Sequence, residues 1–71
     1  MQRKGTVRNI NKIEGTGIIE DENAQEISFS LRDAFFGGIK LGYKVVFDIV
    51  LTNQGLRAVN IVFMETVPLI L

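Results

Sequence analysis

The spacing of the apolar residues predicts an all-β chain closed into a small five-stranded barrel, and three observations point to it. Glu26-Ile27-Ser28-Phe29-Ser30 alternates strictly between polar and apolar side chains, the period of a strand with one buried face. The other apolar positions fall in short runs rich in Val, Ile and Phe, separated by Gly- and Asn-containing turns. A chain of 71 residues also buries only about 60% of the surface its unfolded form exposes. Closing the sheet is how so short an all-β chain hides its strand edges.

Taken in order, residues 4–13 carry Val7 and Ile10 among Thr, Arg and Asn, and read as one long first strand with an irregularity near residues 9–11. It stops at Glu14-Gly15. Residues 16–20 form a short β-branched second strand, Asp21-Glu22-Asn23-Ala24 a polar turn, and residues 26–30 the third strand. Residues 31–36 lose the alternation, as one short helical turn would, before Gly37-Gly38 breaks it. Residues 43–51 form a fourth strand through Val45, Val46, Phe47, Ile49 and Val50, and Thr52-Asn53-Gln54-Gly55 supplies a turn with Gly where positive φ is expected. Residues 56–63 close the chain, with Val59 and Ile61 alternating against Arg57 and Asn60. A three-strand meander, a Gly-containing connection and a C-terminal hairpin match the OB-fold, whose long first strand bends to serve both sheets. An SH3-like barrel is the structural alternative. The alternation places Val7, Ile19, Ile27, Phe29, Val45, Phe47 and Ile61 in the core.

The composition narrows function mostly by exclusion. With no Cys and no His, disulfides, zinc sites, thiol nucleophiles and His-based acid-base chemistry are absent. Asp33 and the acidic run Glu20-Asp21-Glu22 have no ligand spacing, so neither an enzyme nor a cofactor or metal is expected. Eight Lys and Arg balance eight Asp and Glu, leaving no strong net field to attract nucleic acid or acidic membrane. The distribution is uneven, however. Arg3, Lys4, Arg8 and Lys12 open the chain without an acid, and Glu14, Glu20, Asp21, Glu22 and Glu26 follow without a base. If the two segments pair as antiparallel strands, cross-strand charge pairing is the alternative to a binding stripe. No apolar stretch reaches the length of a signal peptide core or a membrane span, so a cytoplasmic location is expected. The domain is expected over residues 1–65. Beyond it runs the uncharged, apolar Thr66-Val67-Pro68-Leu69-Ile70-Leu71, either a cap on an open barrel end or the start of a further region.

Gly5-Thr6-Val7-Arg8-Asn9-Ile10-Asn11 and Glu14-Gly15-Thr16-Gly17-Ile18-Ile19-Glu20 resemble the opening of bacterial cold-shock domains, G-x-V-K-W-F-N followed by K-G-[FY]-G-F-I. Glu26-Ile27-Ser28-Phe29-Ser30-Leu31 sits where that family has D-V-F-V-H-F, and residues 42–50 sit on its G-x-x-V-x-F-E-I. Residues 53–61 resemble its closing N-x-G-x-x-A-x-N-V, and the loop before Gly42 is shorter than the family's. The resemblance spans residues 3–62 and implies a cold-shock-type OB barrel. It adds Ile10, Ile49 and Val59 as further apolar positions of the expected core. Some proteins resembling this family carry such a domain N-terminal to a membrane domain, which the apolar tail keeps open.

The resemblance also implies a rewritten ligand surface. The family binds single strands on aromatic side chains, with stacking worth about 1 to 3 kcal/mol per base. At the matching positions this chain has Asn9, Thr16, Ile18, Ser28, Ser30 and Leu31, and Glu14 replaces the Lys before the Gly. Even at about 1 kcal/mol each, the lost stacking amounts to roughly 6 kcal/mol, about four decades of affinity. The candidates left for weak single-stranded RNA or DNA binding are the bases Arg8, Lys12, Arg32 and Lys40 and the aromatics Phe35, Phe36 and Tyr43, with Lys44 a further phosphate contact. The other reading is a protein-interaction or intramolecular docking domain. Its contact face would be Asn9, Thr16, Ile18, Ser28, Ser30 and Leu31, a mixed apolar and hydroxyl surface.

Overall fold

Strict alternation in the third strand puts Ile27 and Phe29 on one side of the backbone, and the fold is built around that side. The computed structural model describes residues 2–34 and 38–64. Five strands, β1 (Gln2–Asn11), β2 (Thr16–Asp21), β3 (Glu26–Ser30), β4 (Lys44–Thr52) and β5 (Gly55–Phe63), close a barrel in the order β1-β2-β3-β5-β4. That is the OB arrangement. All neighbours are antiparallel except β3 and β5, which meet in parallel through Ser28↔Arg57 and Phe29↔Ala58.

The buried core is Val7, Ile19, Ile27, Phe29, Val45, Phe47, Ala58 and Ile61, each no more than 2% exposed. Ile10 and Ile49, expected in that core, are only partly buried and pack against it. At Gly17 the core comes close against the backbone. A Cβ there would stand 2.5 Å from the Phe29 ring and 2.6 Å from the Asn9 carbonyl oxygen, so a side chain cannot enter without moving backbone.

β1 starts two residues earlier than the alternation predicts and ends at Asn11 rather than residue 13. Its irregularity lies at Arg8, not at residues 9–11. Val7 opposes Ile19 and Asn9 opposes Ile18, leaving Arg8 as the extra residue of a bulge. The bulge lets β1 pair with β4 over Gln2–Thr6 and with β2 over Gly5–Asn11. The helical turn is confined to Leu31–Asp33, with the Ser30 hydroxyl accepting from the Arg32 N–H at 3.3 Å. β4 begins at Lys44 rather than residue 43 and continues to Thr52, and β5 begins at Gly55, whose φ of 106° is the positive value expected there.

The reading of Val59 as a core residue needs correction. Ala58 and Ile61 are buried and Val59 is only half-buried. Asn60 adopts φ 52° and, with Ile61, makes a second bulge between the Val46↔Val62 and Asp48↔Val59 pairs. The extra residue shifts the alternation, and an Asn60 amide donating to Asp48 Oδ2 at 3.1 Å supports it. Phe35, Phe36 and the tail at 66–71 lie outside the described residues.

Candidate functional site

Antiparallel register decides which side chains share the outer face of β1-β2-β3. Thr16 lies opposite Ser30 and Ile18 opposite Ser28, while Asn11 and Asn9 oppose Thr16 and Ile18 from the other side. Because opposed residues point the same way, these six form one surface, outward of Gly17, Ile19, Ile27 and Phe29. These positions share one side of the sheet, and the surface they make is mostly polar and small-featured. Leu31 is its exception, since it turns partly inward and packs on the core.

At one end this face drops into a cleft of about 510 Å³ lined by Glu14, Thr16, Ser30, Arg32, Gln54 and Arg57. Gln54 is held there by a turn in which the Thr52 hydroxyl accepts from the Gln54 N–H at 3.1 Å and donates to the Gly55 carbonyl at 2.8 Å. Arg57 donates from a terminal guanidinium nitrogen to Asp33 Oδ2 at 2.8 Å, and its buried Nε has no partner among the described residues. Sequence spacing missed both Arg57 and Gln54. Arg57 reaches the cleft only through the parallel β3–β5 contact, which no local pattern announces.

The charge pairing anticipated between the two opening segments occurs at two places. Arg3 lies 3.3 Å from Asp21 and Arg8 3.2 Å from Glu20. Arg8 is thus already occupied by a carboxylate, which weakens it as a phosphate contact. Asp21 is nearly buried, and its Oδ1 accepts from the Gln25 and Asn23 N–H groups at 2.9 Å each. The Gln25 N–H is the main reason its carboxyl lies below the usual value; the Asn23 N–H and Arg3 add to this, and desolvation opposes it. Lys44 donates to the Thr6 hydroxyl at 2.9 Å.

Lys12, Arg32 and Lys40 form no ion pair among the described residues. The fold gathers them at the barrel end where β1 stops, β2 starts and β3 stops. Lys40 arrives there because Gly42 N–H donates to the Val7 carbonyl at 2.8 Å and Val7 N–H to the Tyr43 carbonyl at 2.9 Å, tying its loop to β1. Lys12 sits in the β1–β2 turn, closed by Gly15 N–H to the Asn11 carbonyl at 2.8 Å and Glu14 N–H to Asn11 Oδ1 at 3.1 Å. The Tyr43 ring is half-buried, packs on the core and meets Phe63 edge to face at 5.1 Å, which commits it to the barrel end. Among the described residues no cluster of three or more Asp and Glu could hold a metal, and no helix is long and apolar enough to cross a membrane.

No family model matches the chain, and no curated protein does. Forty-four chains of solved structures match. One of them, described as Drosophila Unr CSD456, superposes with a TM-score of 0.79 at 19% identity over 92% of this chain. The chain spans 27% of that structure's length. At that identity the likeness is one of fold, and the fold is the five-stranded OB barrel of a cold-shock domain.

Proposed function

We propose that this barrel is a cold-shock-type binding module that holds single-stranded RNA or DNA weakly, through its phosphates rather than its bases. The observation that carries this reading is the gathering of Lys12, Arg32 and Lys40, without carboxylate partners among the described residues, at the end of the β1-β2-β3 face. Exposed guanidinium and ammonium groups suit phosphate oxygens, and the hydroxyl of Thr16 on the same face can hydrogen-bond sugar or base edges. The same face carries no aromatic ring among the described residues, so stacking contributes nothing there.

Titration with oligo-U, followed by amide chemical shifts, tests this. The expected dissociation constant is high micromolar at about 150 mM salt, with about three phosphate contacts giving a log-log salt slope near −2. Shifts should cluster on residues 12, 16, 28, 30, 32 and 40. Submicromolar binding that survives high salt would overturn the reading and make Phe35, Phe36 and Tyr43 the first suspects.

A second reading, docking of a protein segment, is favoured by the aliphatic side chains Ile13 and Leu41, which stand 97% and 63% exposed at the same barrel end.

A further inference from the structure

Ile13 and Leu41 are not scattered surface residues. They line the edge of an open groove of about 740 Å³ between the β1–β2 turn and the loop that precedes Gly42. Its floor is Ile10 and Ile39, which pack directly against the buried core. Lys12 and Lys40 stand on its rim, and among the described residues no Asp or Glu lines it or the smaller pocket that continues it past Leu31 and Ala34. Glu14, the nearest acid in sequence, lines the neighbouring cleft instead.

We infer that this groove docks a peptide segment of a partner protein that carries apolar anchor side chains flanked by carboxylates. The inference rests on the second reading above and adds the site and the chemistry of its occupant. Aliphatic edges over a floor continuous with the core favour burial of Leu, Ile or Phe anchors, because the gain comes from apolar area removed from water. Two ammonium groups with no acid among the lining residues set the sign of the flanks. A nucleobase is served less well, since the groove's described lining offers no π-face.

The test is selection of a displayed library of random 16-residue peptides on the immobilised intact chain, with counter-selection on the Ile13→Ser/Leu41→Ser variant. Both side chains are exposed, so the variant should melt with the wild type. Enriched peptides should combine apolar anchors with net negative charge, bind with micromolar affinity and weaken at least tenfold on the double variant and on Lys12→Glu/Lys40→Glu. Oligo-U affinity should not change on Ile13→Ser/Leu41→Ser. Failure to enrich any peptide, or enrichment of peptides that are basic or bind the double variant equally, overturns the inference. Loss of oligo-U binding on Ile13→Ser/Leu41→Ser, or vesicles of phosphatidylglycerol shifting the groove amides where peptides do not, would assign the groove to nucleic acid or lipid instead.

Discussion

Rebuilding an aromatic platform on β2 and β3 is the sharpest way to ask whether this face is a disabled single-strand site. Thr16→Phe, Ile18→Phe, Ser28→Phe and Ser30→His would place four rings in two directly opposed cross-strand pairs, Thr16/Ser30 and Ile18/Ser28. Opposed Cβ atoms lie about 4.5–5.5 Å apart and residues two apart along a strand about 6.6 Å, so the rings form one continuous surface. None of the four positions is buried, and the core beneath them (Ile19, Ile27, Phe29) is untouched. Two stacked bases add at least about 2 kcal/mol. Glu14→Lys, on the adjoining cleft, removes a carboxylate that repels phosphate and supplies a cation, worth about 1 kcal/mol more. The sum of about 3 kcal/mol is roughly two decades of affinity. Fluorescence anisotropy with a short labelled pyrimidine strand at fixed salt reads the change, with sedimentation to exclude self-association through the new rings. A five-fold variant that keeps the wild-type melting temperature but gains less than about tenfold would refute the reasoning, because the register leaves the four positions no other face.

Other perturbations test the fold and its charges. Phe47, 1% exposed at the centre of the core, should cost about 3 to 5 kcal/mol on replacement by Ala, comparable to the whole stability of so small a domain; an undiminished cooperative melt would show that its burial is not what holds the barrel. Asp21 is held below its ordinary carboxyl value first by the Gln25 N–H. Its stabilising contribution is therefore complete above the unfolded value of about 3.9 and is lost as pH falls through the lower, folded value. Asp21→Asn should lower the melting temperature at neutral pH and flatten its fall below about pH 4. Parallel acid limbs for wild type and variant would remove Asp21 from the account.

What the residues determined by themselves is the barrel and its inside. Val7, Ile19, Ile27, Phe29, Val45, Phe47 and Ile61 are readable as core from local alternation, and all are buried, because a strand's two-residue period needs no knowledge of its neighbours. The shared face of Thr16, Ile18, Ser28 and Ser30 follows from the same period once the hairpin is closed. The alternation fails where a bulge adds a residue. Arg8 and Asn60 look like ordinary strand positions, and only pairing against β2 and β4 reveals them as extra and moves burial from Val59 to Ala58. Long-range closure decided the rest. Arg57 reaches the cleft through a parallel contact with β3, and Arg8 is withdrawn into an ion pair with Glu20. Lys40 meets Lys12 because the loop before β4 is hydrogen-bonded to Val7. Which charges stay unpaired, and beside which apolar side chains, depends on residues far apart in the chain, and no periodicity in the sequence encodes it.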